Sequence, residues 1–204
     1  MAAYIESAIS WLLLNARGRD AAAFSTTPGF SADGGAAAAT PTVTVTSPAC
    51  GPSGATLGPA YMQGGEGLFP GLEWEDVEGV AEWLVFCEDV DAPFPTPLCH
   101  GFFLGIPKDK RAITHDDIQQ DASAKNRVQG GFYYGKSLAG PIYMLPRPLL
   151  NHGPHRYFFT VVALKEPLDA AFVASRPSRA QLAVAVEGKV LAWGRWTGQC
   201  ERKM

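Results

Sequence analysis

Acidic, imidazole and phenol side chains stand beside the apolar runs of this sequence, in types and spacings that allow chemistry. Asp89 and Asp91 follow the run EWLVFC, and two carboxylates spaced at i and i+2 lie on the same side of an extended segment. His100 stands just before the run FFLGI, whereas His155 and Tyr157 alternate onto one face of the run that continues as FFTVVAL. Each group alone has an ordinary structural interpretation, as a solvated turn, a packed histidine or an ion pair.

Taken together, these groups suit either anion binding or proton transfer. Two imidazoles donate hydrogen bonds and can carry positive charge near neutral pH, so they can hold an anion. A carboxylate behind an imidazole orients the ring, and a tyrosine hydroxyl adds a neutral donor. The same set is sufficient for general acid–base catalysis, which contributes about 10²–10⁴-fold in rate. If the protein is an enzyme, the candidate catalytic residues are Asp89, His100 and His155.

The composition excludes several classes of partner. The chain has 17 Lys and Arg residues against 20 Asp and Glu residues and no basic cluster, which argues against nucleic acid. No apolar run approaches the roughly 20 residues that span a bilayer, so we expect no transmembrane segment and a cytoplasmic location. The four cysteines form no C-x-x-C pair, and the histidines show no metal-ligand spacing. The sequence therefore indicates no cofactor and no metal site.

Turn-forming residues predict a mainly β protein. The 22 glycines and 16 prolines among 204 residues favour many short strands joined by irregular loops. A long irregular region over 108–154 is expected to be functional, because such segments are uncommon in compact domains. The predicted strands are 41–46, 82–87, 102–106, 156–164 and 189–197, with a helix over 178–187.

The first forty residues are predicted to stand apart from this β domain. Apolar residues at positions 5, 8, 9, 12 and 13 follow one helical stripe, which predicts a helix over 4–16. The stripe lacks the basic residues of a membrane-surface helix, so it is expected to dock on the protein itself or to form a homodimer. The Ala- and Gly-rich stretch 20–41 predicts a linker or a loosely held crossing segment. The organisation is thus a helix and linker over 1–40 and the main domain over 41–204.

The order of the motifs resembles the phosphatidylethanolamine-binding protein family, which includes the Raf kinase inhibitor proteins and the plant flowering regulators. The resemblance rests on DVDAP at 89–93, His-Gly at 100–101, LPRP at 145–148 and NHGPHRYFFTVVAL at 151–164. The last of these is the most specific, and its NHGPHRY part looks most like the bacterial and fungal branch. Covering about residues 41–198, the resemblance implies a central antiparallel β-sheet packed by a smaller sheet, with peripheral helices and, here, an additional N-terminal helix.

The resemblance also implies a small surface pocket that accepts anions such as phosphate or phosphorylethanolamine. Arg156 would support the fold through an ion pair with an acidic group. The ligand-binding residues implied by the matching motifs are Asp89, Asp91, Pro93, His100, Leu145, Pro146, His155 and Tyr157.

Three positions depart from the family pattern. Val90 replaces the first Pro of the acidic motif, Gly101 replaces an aromatic residue, and Leu145 takes the place of a Gly in the anion loop. We expect Gly101 to open the rim beside His100 and Leu145 to hinder the approach of an anion to the backbone N–H groups. A larger or more apolar ligand would then be easier to accommodate. Five residues either line such an enlarged pocket or pack the loop: Phe132, Tyr133, Tyr134, Tyr143 and Met144.

Three functions stay open at this point. The first is a protein that binds a small anionic or phospholipid-headgroup-like ligand without chemistry. The second is a cofactor-independent enzyme, an isomerase, lyase, cyclase or hydrolase, that acts on a small metabolite with the same residues as general acid and base. The third is an inhibitor of a kinase pathway that acts through a protein partner, for which the sequence offers no recognisable surface.

Overall fold

The structure is a computed structural model that describes residues 1–31, 41–138 and 140–204. Its helices are α1 (Ala2–Leu12), α2 (Ala170–Ala174) and α3 (Arg179–Ala185). Its strands are β1 (Val45–Thr46), β2 (Ala55–Thr56), β3 (Leu72–Trp74), β4 (Glu82–Asp89), β5 (Leu98–Pro107), β6 (Ala112–Ile113), β7 (Tyr133–Tyr134), β8 (His155–Leu164) and β9 (Val190–Cys200).

The strands form a large sheet and a small one. The large sheet has the order β2-β9-β8-β4-β5-β7, and the small sheet has the order β1-β3-β6. Neighbouring strands are antiparallel, except that β2 runs parallel to β9. The prediction of a central antiparallel sheet packed by a smaller one is therefore confirmed.

Both faces of the large sheet are covered by apolar side chains. On one face, Val85 and Phe159 belong to the same hydrophobic cluster as Leu72 and Trp74 of the small sheet. On the other face, Phe86 packs with residues from the helices and the N-terminal segment. Strand β4 is consequently buried at all eight positions, which explains why it contains an unbroken apolar run over 83–87 rather than alternating polar and apolar residues.

Several boundaries differ from the sequence prediction. Strand β5 begins at Leu98, so His100 lies inside the strand rather than before it. The strand predicted over 41–46 is reduced to Val45–Thr46, and β2, β3, β6 and β7 were not predicted. Strands of two or three residues are too short to show a period of two, so the sequence carries no signal for them. The helix predicted over 178–187 is α3, which begins with a capping box between Ser178 and Gln181.

Much of the predicted linker lies against the large sheet. Three 3₁₀ turns follow one another at Asp20–Ala22, Phe24–Thr26 and Pro28–Phe30. The ring of Phe24 stacks on Phe86 with centroids 4.2 Å apart, and its backbone N–H donates to Glu88 Oε1 at 2.7 Å. These contacts hold the segment on the sheet, while residues 32–40 of the predicted linker lie outside the described residues.

Arg156 connects the start of β8 to the N-terminal segment through two carboxylates. Its Nε and Nη2 donate to Asp91 at 2.8 and 2.9 Å, and its Nη1 and Nη2 donate to Asp20 at 2.8 Å each. Asp91 also accepts from the backbone N–H of Gly18 at 3.0 Å. Burial opposes ionisation of Asp91, but the hydrogen bonds from Arg156 outweigh it and hold the pKa of this carboxyl below its usual range.

We expect the two carboxylate partners of Arg156 to contribute unequally to the free energy of unfolding. The carboxylate of Asp91 is 1% exposed and that of Asp20 is 49% exposed. Asp91→Asn should lower the free energy of unfolding by about 3 kcal/mol, because it weakens a buried pair, and Asp20→Asn should lower it by less than about 1 kcal/mol. Urea denaturation followed by circular dichroism measures both values. Equal losses in the two variants would contradict this assignment.

Glu88 should make the stability depend on pH. Burial raises the pKa of its carboxyl to about 7, and the Phe24 N–H and the nearby Arg179 offset only part of that effect. Because the pKa is higher in the folded state, the contribution of Glu88 to stability is full below pH 4.5 and declines as pH rises through about 7.

Glu88→Gln keeps an acceptor for Phe24 and removes this titration. Between pH 4.5 and 7.5, the variant should gain on the order of 3 kcal/mol in free energy of unfolding relative to the natural chain. The measurement is urea denaturation at both pH values. Glu187→Gln removes the same charge from an exposed position and is the matched control. A difference that does not change with pH would show that Glu88 is not responsible.

Candidate functional site

A cavity of about 460 Å³ opens where the end of β4 meets the starts of β5 and β8. Because β4 is antiparallel to both neighbours, its last residue, Asp89, lies opposite Leu98 of β5 and Tyr157 of β8. The remaining walls come from the turn after β4, the loop before β8 and helix α1. The lining residues are Ile9, Leu13, Gln63, Asp89, Ala92, Pro93, Phe94, Leu98, His100, Met144, Leu145, Arg147, Leu149, His155 and Tyr157.

The cavity brings together most of the residues that the sequence singled out. Of the eight implied ligand-binding residues, Asp91 and Pro146 are not among the lining residues. Strand β4 ends at Asp89, so the alternation that would place Asp91 on the same side stops there, and Asp91 turns towards Arg156. The six implied residues that line the cavity are Asp89, Pro93, His100, Leu145, His155 and Tyr157.

Of the five aromatic and methionine residues that could either line the cavity or pack the loop, most are packed in the hydrophobic clusters. Met144 lines the cavity. Phe132 and Tyr134 are core residues, and Tyr143 packs against the same core with its ring edge-on to Phe69 at 5.1 Å. Tyr133 packs against the cluster on the other face of the large sheet.

The rim beside His100 is closed by backbone rather than opened by Gly101. A Cβ atom at Gly101 would lie 2.6 Å from the carbonyl oxygen of Ile142, so only glycine leaves room for this crossing. The same loop is fixed to β5 by the N–H of Met144, which donates to the His100 carbonyl at 2.7 Å. The expectation that Gly101 enlarges the pocket is therefore wrong, because the loop fills that space.

A chain of hydrogen bonds runs from the cavity wall to helix α1 through two histidines. His155 Nδ1 contacts Asp89 Oδ2 at 2.8 Å, and His155 Nε2 contacts His152 Nδ1 at 2.7 Å. His152 Nε2 then donates to the carbonyl of Leu13 at 2.9 Å. Asp89, His152 and His155 are all buried. The sequence analysis did not single out His152, although the two histidines spaced by three in NHGPH were a visible signal.

The geometry of this chain of hydrogen bonds determines how many protons its three contacts need. The Leu13 carbonyl can only accept, so His152 Nε2 carries a proton, and each of the two remaining contacts also needs one. Two neutral imidazoles supply only two protons. The third either makes one imidazole cationic opposite an ionised Asp89 or protonates the Asp89 carboxyl. In both cases the two ring nitrogens of His155 are engaged, so its ring offers no spare donor to a ligand.

His100 and Tyr157 line the cavity, and each has one buried polar atom without a hydrogen bond. His100 Nδ1 donates to the Met144 carbonyl at 2.5 Å, which leaves Nε2 without a hydrogen bond. Burial lowers the pKa of His100 despite the nearby charge of Asp89, so the ring is neutral and Nε2 is an acceptor at neutral pH.

The Tyr157 hydroxyl also has no hydrogen bond of normal geometry, although the thiol of Cys200 lies beside it. Burial raises the pKa of Tyr157 well above its usual value, so the hydroxyl keeps its proton and can donate it in a hydrogen bond. The two rings pack edge-on with centroids 5.1 Å apart. An acceptor and a donor thus stand side by side at a mostly apolar cavity, and neither has a hydrogen bond of normal geometry within the protein.

Helix α1 supplies a wall of the cavity that the sequence analysis did not assign to the site. Ile9 and Leu13 line it, and Glu6 fixes the helix by accepting from the Leu150 N–H at 3.1 Å and from Arg202 at 2.6 Å. Asn151 donates to Ser7 at 2.9 Å next to these contacts. The docking of α1 on the protein, which was one of the two expectations, is therefore what the structure shows.

The described ranges contain neither a metal-ligand cluster nor a membrane-spanning helix. Within residues 1–31, 41–138 and 140–204, no group of three or more His, Cys, Asp and Glu side chains is arranged to hold a metal ion. In the same part of the chain, no helix combines the length and the apolar character that crossing a bilayer requires.

Comparisons with known proteins agree with the fold and with the motif order. The chain is 42% identical over 168 residues to phomoidride biosynthesis cluster protein B of Talaromyces stipitatus, covering 80% of this chain and 69% of that protein. It is 35% identical to the protein of the same name from Fungal sp. (strain ATCC 74256), covering 97% of this chain and 94% of that protein.

A solved structure and a family model point in the same direction. A phosphatidylethanolamine-binding protein homologue from Chlamydia trachomatis shares the fold at a TM-score of 0.62 and 19% identity, covering 80% of this chain and 99% of its own. The model of the family described as phosphatidylethanolamine-binding protein matches residues 46–201. With most of its length matched in this way, the chain belongs to the phosphatidylethanolamine-binding protein family.

Proposed function

We propose that the cavity binds a small, largely apolar organic molecule that carries one hydroxyl group. The observation that carries this proposal is the pair of unpartnered polar atoms, His100 Nε2 and the Tyr157 hydroxyl, in an otherwise mostly apolar hollow. A ligand hydroxyl can donate to the first and accept from the second. The cavity volume of about 460 Å³ lies within the range of roughly 300–1,000 Å³ that is typical of small-molecule sites.

The charges in the cavity favour such a ligand over a phosphate group. Both nitrogens of His155 are engaged, and burial keeps His100 neutral, so neither ring is a free cationic donor. Arg147 lines the cavity, but its side chain is half-exposed and paired with Glu6 at 3.3 Å. A phosphate dianion would lose its hydration without a buried cation to replace it, which is costly.

The names of the relatives support a metabolite as the ligand. Two relatives are named for a biosynthesis cluster, and one of them covers 97% of this chain. A protein of such a cluster is expected to meet small organic molecules. The described residues offer no observation that favours the kinase-pathway alternative, so we do not propose it.

Removing one hydroxyl tests the ligand proposal. 1-Octanol and 1-decanol serve as probes, with binding measured by calorimetry and by the NMR signals of the histidine rings. Tyr157→Phe should weaken probe binding about tenfold, equivalent to roughly 1.4 kcal/mol, because the ligand oxygen loses its donor.

Tyr143→Phe is the matched control for this experiment. The Tyr143 hydroxyl is equally buried and equally without a partner, but it does not line the cavity, so probe binding should be unchanged. Phosphorylethanolamine at millimolar concentration should leave the His100 signals unmoved. The proposal fails if phosphorylethanolamine binds and both apolar probes do not, and that outcome would favour a headgroup-binding function.

A second candidate function is proton transfer to and from the bound molecule. Its support is that His100 Nε2 is a neutral, unpartnered base next to the Tyr157 donor. In this reaction Nε2 would take a proton from the carbon next to a carbonyl group. The Tyr157 hydroxyl would stabilise the enolate oxygen by a hydrogen bond, and the carbon would regain a proton exchanged with solvent.

Hydrogen–deuterium exchange of 2-octanone in D₂O, followed by NMR, measures this activity. His100→Gln should lower the exchange rate about 100-fold, whereas His115→Gln, which lies outside the cavity, should not change it. Because burial lowers the pKa of His100 below its ordinary 6.5, the rate should be level above pH 6.5 and should fall only as pH drops through the lowered pKa. Full activity in His100→Gln would exclude this mechanism while leaving the binding proposal intact.

A further inference from the structure

The outer face of helix α1 is apolar and exposed. Trp11 is 74% exposed, Leu12 is 75% exposed and Tyr4 is 69% exposed, and Ile5 lies beside them. The charged side chain within the helix, Glu6, is on the opposite side, where it binds Arg202 and the backbone of Leu150. The outer face therefore presents large apolar side chains to solvent with no charge among them.

The size of this face is unusual for an isolated chain. Large aromatic side chains bury about 150–250 Å² each, so Trp11 and Tyr4 with their two aliphatic neighbours expose several hundred Å² of apolar surface. Contiguous patches of that size commonly mark an interaction site. A standard interface uses about 800 Å² per partner, and this face with its flanking residues, Met1 and Leu14, approaches that area.

We propose that α1 pairs with the α1 helix of a second copy of this chain, antiparallel and about a twofold axis that passes next to Ala8. At about 100° per residue, Tyr4, Ile5, Trp11 and Leu12 all lie within about 60° of Ala8 on the helix surface. An antiparallel pair centred on Ala8 places Tyr4 against Leu12 and Ile5 against Trp11. Each large residue on one side of the centre therefore meets one on the other side, which is the self-complementarity that a twofold interface requires.

Ala8 itself favours this arrangement because its small, exposed side chain lets the two helix backbones approach each other. The antiparallel direction also sets opposite ends of the two helix dipoles next to each other. A bilayer surface is the competing occupant, but helices that lie on membranes carry Lys or Arg on their polar face, and α1 contains neither.

The pairing would also affect the cavity. Ile9 of the same helix and Leu13, which directly follows it, line the cavity, and the Leu13 carbonyl binds His152. A second copy that covers the outer side would hold this wall in place. The inference rests on the surface of α1 and not on the identity of the ligand, so it stands or falls separately from the proposed function.

Charges placed at the twofold centre test the proposal. Sedimentation velocity of the natural chain should show a dimer at micromolar concentrations. Ala8→Glu and Ala8→Lys should each be monomeric with unchanged circular dichroism, because each brings two like charges together. An equimolar mixture of the two variants should regain the dimer, since unlike charges then meet at the centre.

Val184→Glu is the matched control, because Val184 is an exposed apolar residue on α3, and this variant should remain dimeric. As a second measurement, Ala8→Cys should form an intermolecular disulfide under mild oxidation, and Val184→Cys should not. A natural chain that stays monomeric, a dimer that survives Ala8→Glu, or a monomer that floats with phosphatidylcholine–phosphatidylserine vesicles would each overturn the proposal.

Discussion

The site depends on one constraint, which is that β4 is buried along its whole length between two antiparallel neighbours. Its C-terminal end must then lie next to the starts of β5 and β8, although the first residues of these two strands are more than fifty positions apart in the sequence. The polar residues at those strand ends, among them Asp89, His100 and His155, meet for this reason alone. The cavity is thus a consequence of sheet register, and the hydrogen bonds within it refine a position that the backbone already provides.

Burial at this end of the sheet forces each acidic group to find a separate partner. Glu88 accepts from the N–H of Phe24, Asp89 shares a hydrogen bond with His155, and Asp91 accepts from Arg156. A buried carboxylate without a partner would lower the stability of the fold, so each of these groups needs its contact. Each contact also joins a different part of the polypeptide to β4 or the turn after it. Three carboxylates within four positions therefore fasten the N-terminal segment, the histidine chain and the start of β8 to the same strand.

The sequence predicted the long strands that are buried along their whole length, but it did not predict positions that depend on where a strand ends or where a loop crosses. Strands β4 and β8 were predicted nearly to their ends, because most residues in both are apolar. The separation of Asp89 from Asp91 was not predictable from spacing, since the rule of alternation fails as soon as the strand stops between them. The role of Gly101 was also out of reach, because it depends on a loop crossing from forty residues away.

The N-terminal helix shows why a family match does not by itself define the pocket. The region matched by the family model begins at residue 46, yet Ile9 and Leu13 line the cavity. The Leu13 carbonyl is also the last acceptor in the chain of hydrogen bonds that begins at Asp89. That carbonyl accepts a hydrogen bond from His152 Nε2, so the docking of α1 fixes which ring nitrogen of His152 carries a proton. The tautomers in the site are consequently set in part by a segment outside the family region, and any comparison of ligand preference with relatives has to include this helix.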